Sequence, residues 1–384
     1  MKKRTKGTLA IISVLILAVA GFFLKTVLDA GEFKRLAFHP PRNCRVVTGV
    51  LGSEDITVHP GLGLAFISSC DFRTLFAGKK SPRGAVFGYD LKESDPVLKD
   101  LTQDFPADFH PHGLGLYTSP AGEVSLFVVN HRPDGKFIEI FDYRDGRLAH
   151  RQSVSGTLLV SPNDVIPVGP DRFYVTNDHG SASETGKTLE DFLKLNRAGV
   201  LYFDGKQFSE AARGLGYANG INLSPDGRTV YVAGTTARRV DVFTRDVQSG
   251  ALTLRKSLDI DSGVDNIDVD EEGNLWVAAH PKLLTFVKYS RDGSSRSPSQ
   301  VFKITPGPGD DYRIEEKFLS DGGDFSDRKS VVEGKSVDLG GRRIIKNKTK
   351  KVKLRYTVLC KSSGGITRGR CKQHTVRSSQ CAHT

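Results

Sequence analysis

Five short segments of this chain repeat one layout: a polar residue or histidine, a polar residue or glycine, then an apolar residue, followed by a turn and an apolar strand. They begin at Glu54-Asp55-Ile56, His112-Gly113-Leu114, Asn163-Asp164-Val165, Asn219-Gly220-Ile221 and Asp265-Asn266-Ile267. Their leading residues lie 58, 51, 56 and 46 positions apart. That period fits one four-stranded blade of a β-propeller, in which equivalent points of successive blades face a common axis. A β-sandwich gives no reason for five near-equal repeats, so an all-β propeller is the expected fold. Four of the five leading residues carry a side-chain oxygen and the fifth is histidine. Gathered around an axis they would converge, and an oxygen-rich convergence suits a hard cation such as calcium.

The second strand of each repeat is readable as an apolar run: 62–67, 124–129, 172–175, 228–233 and 274–278. Turn signals precede some of them, as in Ser224-Pro225-Asp226-Gly227 and Glu271-Glu272-Gly273, where Pro presets one backbone angle and Gly supplies a left-handed one. One helix is expected, over Thr188–Leu195. The chain has 384 residues and a formal charge of +11. Residues 327–384 hold 16 Lys/Arg against 3 Asp/Glu, leaving 39 basic and 41 acidic residues in 1–326. The basic character belongs to the tail, so no phosphate-binding face is expected on the propeller and no nucleic-acid partner.

At the N-terminus Lys2, Lys3, Arg4 and Lys6 precede an uncharged stretch from Gly7 to Leu24. This reads as a secretory signal, with Ala18-Val19-Ala20 available to a signal peptidase, or as a signal anchor contacting a membrane or lipid surface. Both place the chain in the secretory route, either membrane-anchored or secreted. Of the five cysteines, Cys44 precedes the first blade and should seek a partner in an oxidising compartment; Cys360, Cys371 and Cys381 lie in the tail. The organisation expected is an N-terminal segment over 1–30, a propeller over 31–326 and an anomalous basic, low-complexity tail over 327–384. The stretch from Asp327 to Ile345 looks like a translated sequencing adapter; the other reading is a basic tail for membrane or matrix binding. Asn222-Leu223-Ser224 is a glycosylation sequon whose position at an inner strand argues that it is buried and unused.

The segments Gly52-Ser53-Glu54-Asp55, Pro111-His112-Gly113, Val129-Asn130-His131, Pro162-Asn163-Asp164, Thr176-Asn177-Asp178-His179, Ala218-Asn219-Gly220-Ile221-Asn222 and Val264-Asp265-Asn266 together resemble the paraoxonase family, in order, to about Phe325. The resemblance implies a six-bladed propeller with two calcium ions in a central tunnel, hydrolysing lactones, aryl esters and some organophosphates. It implies that Glu54, Asn163, Asn219, Asp265 and Asn266 hold a catalytic calcium. Asp55, Asp164 and the backbone carbonyl of Leu114 would hold a structural one. His112 would act as general base on a water with His131 tuning it, a task that suits imidazole. His179 and His280 match other tunnel positions, where a hydrogen-bonded structural role is expected. The family's last strands, and a cysteine bonded to the counterpart of Cys44, are not recognisable here. An incomplete last blade and poor folding are therefore expected. A non-catalytic calcium-stabilised binding propeller and a lactonase using another divalent metal are the alternative readings.

Overall fold

The computed structural model describes residues 2–39, 44–106 and 108–321, with backbone alone for 2–6, 44–46, 48 and strands 329–332, 335–339 and 356–360. Five four-stranded antiparallel sheets follow one another along the chain. Blade 1 comprises Ser53–His59, Leu64–Ser69, Ala85–Asp90 and Lys99–Asp100, and blade 2 Pro111–Thr118, Val124–Arg132, Gly135–Arg144 and Arg147–Val154. Blade 3 runs through Pro162–Pro167, Phe173–Asn177, Ala198–Phe203 and Phe208–Leu215. Ala218–Leu223, Thr229–Gly234, Arg239–Arg245 and Leu252–Asp259 form blade 4. Gly263–Val269, Leu275–His280, Ser299–Pro306 and Tyr312–Ser320 form blade 5. Each blade is ordered sequentially from its first strand outward, and the first strands of neighbouring blades contact one another. The protein is an all-β propeller.

The apolar runs expected as second strands occupy that place in every blade. They are continuous rather than alternating because each sheet is covered on both faces, as a strand between two neighbouring blades requires. The core accordingly lies between blades. Phe127, Val129, Ile138 and Ile140 of blade 2 pack on Val165, Phe173 and Val175 of blade 3. Tyr174, Val200 and Tyr202 of blade 3 meet Ile221, Val230 and Val232 of blade 4. Burying such a side chain stabilises by about 2 kcal/mol.

Five blades are complete among the residues described with side chains; a six-bladed ring with an incomplete last blade was the expectation. The backbone of Cys44–Thr48 pairs with Tyr356–Cys360, which continues to Lys335–Leu339 and Lys329–Val332, with Cys44 opposite Cys360. The expectations about blade closure and the pairing of Cys44 rest on side chains outside the described residues. Cys70, directly after the second strand of blade 1, is buried.

Among the described residues four helices decorate the propeller: α1 (Lys2–Asp29), α2 (Phe72–Phe76), α3 (Glu184–Leu193) and α4 (Leu283–Arg291). Within α1, Gly7–Asp29 is long and apolar enough to cross a membrane, with a mean hydropathy of 2.5, and its side chains from Gly7 to Leu24 are exposed. It fits a signal anchor or a signal peptide. The helix expected at Thr188–Leu195 is α3, begun four residues earlier because the Ser183 hydroxyl accepts from the Gly186 N–H and caps it. Helices α2 and α4 were not foreseen.

Candidate active site and metal centre

In all five blades the ladder between first and second strands breaks at one point. The register shifts lie between Ser53 and Ile56, Pro111 and Leu114, Pro162 and Val165, Ala218 and Ile221, and Val264 and Ile267. The residues skipped are Glu54-Asp55, His112-Gly113, Asn163-Asp164, Asn219-Gly220 and Asp265-Asn266. The repeated sequence segments are therefore β-bulges, which release two residues from pairing and re-aim their side chains.

The second bulge position reads Asp, Gly, Asp, Gly, Asn around the ring. Neighbouring blades decide this alternation. A Cβ on Gly113 would lie 2.5 Å from the Asn163 carbonyl oxygen and 2.5 Å from Asp164 Cα; one on Gly220 would lie 2.6 Å from the Asp265 carbonyl oxygen. No side chain fits there, and the carboxylate of the preceding blade reaches across instead. Asp55 accepts from the N–H groups of Ile56 (2.8 Å) and Leu114 (2.8 Å). Asp164 repeats the pattern with Val165 (2.7 Å) and Ile221 (2.9 Å). Burial, with the Asp55 carboxylate nearby, pushes the Asp164 pKa well above the usual carboxylate range.

Glu54, Asn163, Asn219, Asp265 and Asn266 are all buried. Each of the three amides is oriented by its nitrogen. Asn163 Nδ2 donates to Asp178 Oδ2 (3.3 Å), Asn219 Nδ2 to Asp265 Oδ1 (2.6 Å) and Thr235 Oγ1 (3.0 Å), and Asn266 Nδ2 to the Glu54 carbonyl (3.2 Å) and Asp55 Oδ1 (3.3 Å). The Oδ1 atoms of all three have no hydrogen-bond partner. A buried acceptor left unpaired costs about 1–3 kcal/mol, and here three occur on three successive blades. That donor set, with the carboxylates beside it, fits an oxygen-seeking cation. Among the described residues no group of three or more His, Cys, Asp or Glu side chains forms a metal cluster; the neutral oxygens of the ring come from amides. On the axis, a cavity of about 130 Å3 is lined by Asp55, Leu114, Asp164, Ile221 and Asn266 among others. Asn222 also lines it, with its amide engaged by the Ile267 carbonyl and the Leu223 N–H.

His112 stands beside this ring. Its Nδ1 is 3.0 Å from the Asn163 carbonyl oxygen and 3.2 Å from Glu54 Oε2. Both neighbours are acceptors, so Nδ1 carries the proton and Nε2 the lone pair. The Phe72 ring meets His112 edge-on at 5.1 Å, which is the contribution of α2. The His131 ring is 5.2 Å from that of His112. Its Nε2 bonds the Pro162 carbonyl (2.8 Å) and its Nδ1 faces Lys136 Nζ (3.3 Å), so both nitrogens are engaged away from His112. Burial, reinforced by the Lys136 ammonium, pushes the His131 pKa well below the ordinary imidazole value.

His179 and His280 sit one step behind the ring. His280 Nε2 donates to Asp265 Oδ2 at 3.0 Å. His179 bonds Asp178 through Nδ1 (2.7 Å) and Asp191 of α3 through Nε2 (3.2 Å). Burial opposes charging of His179, but these two carboxylates outweigh it and raise its pKa to about 9. Lys136 and Asp191 were not anticipated from the sequence. No local pattern marks them, because each meets its partner only through the packing of the blade or helix that carries it.

A sequence profile described as Arylesterase matches residues 36–344. Human serum paraoxonase/arylesterase 1 is 33% identical over 305 residues, covering 77% of this chain and 82% of that protein. Rat serum paraoxonase/arylesterase 2 is 34% identical over 303 residues, with the same coverage of 77% and 82%. Among solved structures, a luciferin-regenerating enzyme superposes with a TM-score of 0.51 at 13% identity, over 83% of this chain and 95% of that one, and shares the fold. Matched along the blades that carry the bulged ring, this chain belongs to the arylesterase family of the serum paraoxonases.

Proposed function

We propose that this chain is a calcium-dependent hydrolase of lactones and aryl esters, and of some organophosphate triesters. Relatives named paraoxonase/arylesterase support esterase or lactonase chemistry as the class of reaction. The observation that carries the calcium reading is the set of three buried, unpartnered amide oxygens on Asn163, Asn219 and Asn266. In this reading Glu54 and Asp265 join them around a catalytic ion, and Asp55, Asp164 and the Leu114 carbonyl hold a second, structural one. Calcium bound there would polarise the substrate's carbonyl or phosphoryl oxygen and stabilise the developing oxyanion.

The remaining steps belong to the chain. His112 keeps its Nδ1 proton on the Asn163 carbonyl and Glu54, which presents Nε2 to an attacking water as the proton acceptor. His131, fastened to Pro162 and Lys136, supports the strand start from which Asn163 projects and packs beside His112. We infer a six-bladed ring whose sixth sheet includes Cys44–Thr48. Residues 327–384 are read as lying outside the catalytic machinery, since every proposed ligand lies between Glu54 and Asn266. The apolar helix α1 is read as the contact with a membrane or lipid surface.

The test is hydrolysis of an aryl ester and an aliphatic lactone by the full chain, with and without EGTA. Turnover that EGTA abolishes and added calcium restores supports the proposal. Calcium binding without turnover of either substrate would favour a non-catalytic, calcium-stabilised propeller.

A further inference from the structure

Helix α4 begins without a cap of its own. Lys282 occupies its N-cap position, makes no side-chain cap hydrogen bond, and no acidic residue stands in the first turn. The open N–H groups are instead met by the segment that follows α1. Leu283 donates to the Ala30 carbonyl (2.9 Å), while Leu284 and Thr285 donate to Glu32 Oε1 (2.8 and 3.0 Å). The Thr285 hydroxyl donates to Glu32 Oε2 (2.6 Å). A carboxylate at a helix N-terminus both satisfies orphan donors and opposes the helix dipole. Gly31, between the two contacts, has a φ of 77° and its backbone lies so close to Pro281 that a Cβ would run into the Pro281 carbonyl oxygen.

The same segment is fastened on its other side. Asp29 accepts from Lys194 (2.6 Å), the residue that ends α3, and its carbonyl accepts from Arg238 (2.7 Å). From α4 the contacts lead into the ring. Phe286 stacks on His280 with centroids 3.6 Å apart and planes 14° apart, and His280 Nε2 donates to Asp265 Oδ2.

We propose that Glu32 is a positioning residue for the site: by capping α4 it holds Phe286 flat on His280 and thereby fixes the Asp265 carboxylate. The stretch after the N-terminal helix is then a working part of the site rather than a tether alone. This rests on the reading of Asp265 as a ligand of the hydrolytic centre.

The test uses the full chain as Glu32→Ala, Glu32→Gln, and Glu32→Ala combined with Lys282→Asp, which puts a capping carboxylate at α4's own N-cap. Three quantities are read: amide exchange over Leu283–Arg291, kcat and KM for an aryl ester, and the calcium dissociation constant. Removing a cap of this kind shifts the local equilibrium about fivefold. Glu32→Ala should therefore exchange faster at Leu284 and Thr285 by about that factor, lose about as much kcat/KM and bind calcium more weakly. Glu32→Gln should fall between it and the unaltered chain, and the double variant should recover all three quantities. Faster exchange with unchanged kcat/KM and calcium affinity would overturn the proposal, leaving a cap of purely structural consequence. So would a double variant that regains protection but not turnover. If Glu32→Ala fails to fold, the same comparison is made with Glu32→Gln, alone and combined with Lys282→Asp. A wild-type chain that hydrolyses esters without calcium would overturn the metal reading only, and kcat/KM of the Glu32 variants would still decide the role of Glu32.

Discussion

Replacing His179 by glutamine removes the ionic link between α3 and Asp178, the residue that orients Asn163. The imidazole carries its proton in the folded chain to about pH 9, against 6.5 for an ordinary histidine. A folded value above the unfolded one means that the stabilisation is complete below about pH 6.5 and is lost as pH rises through about 9. Between about pH 7.5 and 9.5 the linkage amounts to roughly 2 kcal/mol. Solvent screening at a site that reaches toward the surface reduces this to about 1 kcal/mol. For a domain of this size that corresponds to about 2–3 °C in melting temperature. The assay is a pair of thermal melts at the two pH values, on the unaltered chain and on His179→Gln. The unaltered chain should lose about 2–3 °C more than the variant across the interval. Equal losses would refute the assignment of His179 as a charged bridge between Asp178 and Asp191.

Three further outcomes are expected. Asn219→Ala removes one of the unpartnered oxygens, and calcium affinity by titration should fall about 10- to 100-fold, with hydrolysis at saturating calcium reduced as well; an unchanged affinity would remove Asn219 from the ligand set. Gly113→Ala sets a Cβ against the backbone of Asn163 and Asp164, and overpacking of this kind costs about 1–3 kcal/mol, so both stability and calcium affinity should drop; a variant that melts and binds like the unaltered chain would contradict the close approach. Removing residues 1–24 should shift the chain from the membrane to the soluble fraction while hydrolysis in solution stays within about twofold, because Asp29 and Glu32 keep their contacts; continued membrane association would locate the lipid contact elsewhere.

What the sequence made legible was the ring. Glu54, Asn163, Asn219 and Asp265 share a blade position, and the period alone puts them on one axis. The bulges explain why the signal is so compact, since two consecutive residues per blade leave the ladder together and both are polar or glycine. The Gly113 and Gly220 positions were readable as part of the pattern, but their cause was not, because it lies in the backbone of the next blade. Helix α4 was hidden for a similar reason. Leu283-Leu284-Thr285-Phe286-Val287 has the aliphatic, β-branched and aromatic content of a strand, and its cap comes from Glu32, far away in the chain. Helix α3, by contrast, carries its own Ser183 cap and could be found locally. Contacts such as Lys136 with His131 and Asp191 with His179 depend on how strands and helices meet, which no local pattern encodes.

The most direct test of the account is a calcium titration in which binding and aryl-ester hydrolysis are followed on the same sample. Two ions per chain are expected, with hydrolysis appearing as the site containing Asn163, Asn219 and Asn266 fills and disappearing on chelation. Hydrolysis at full rate in the chelated, calcium-free chain would contradict it.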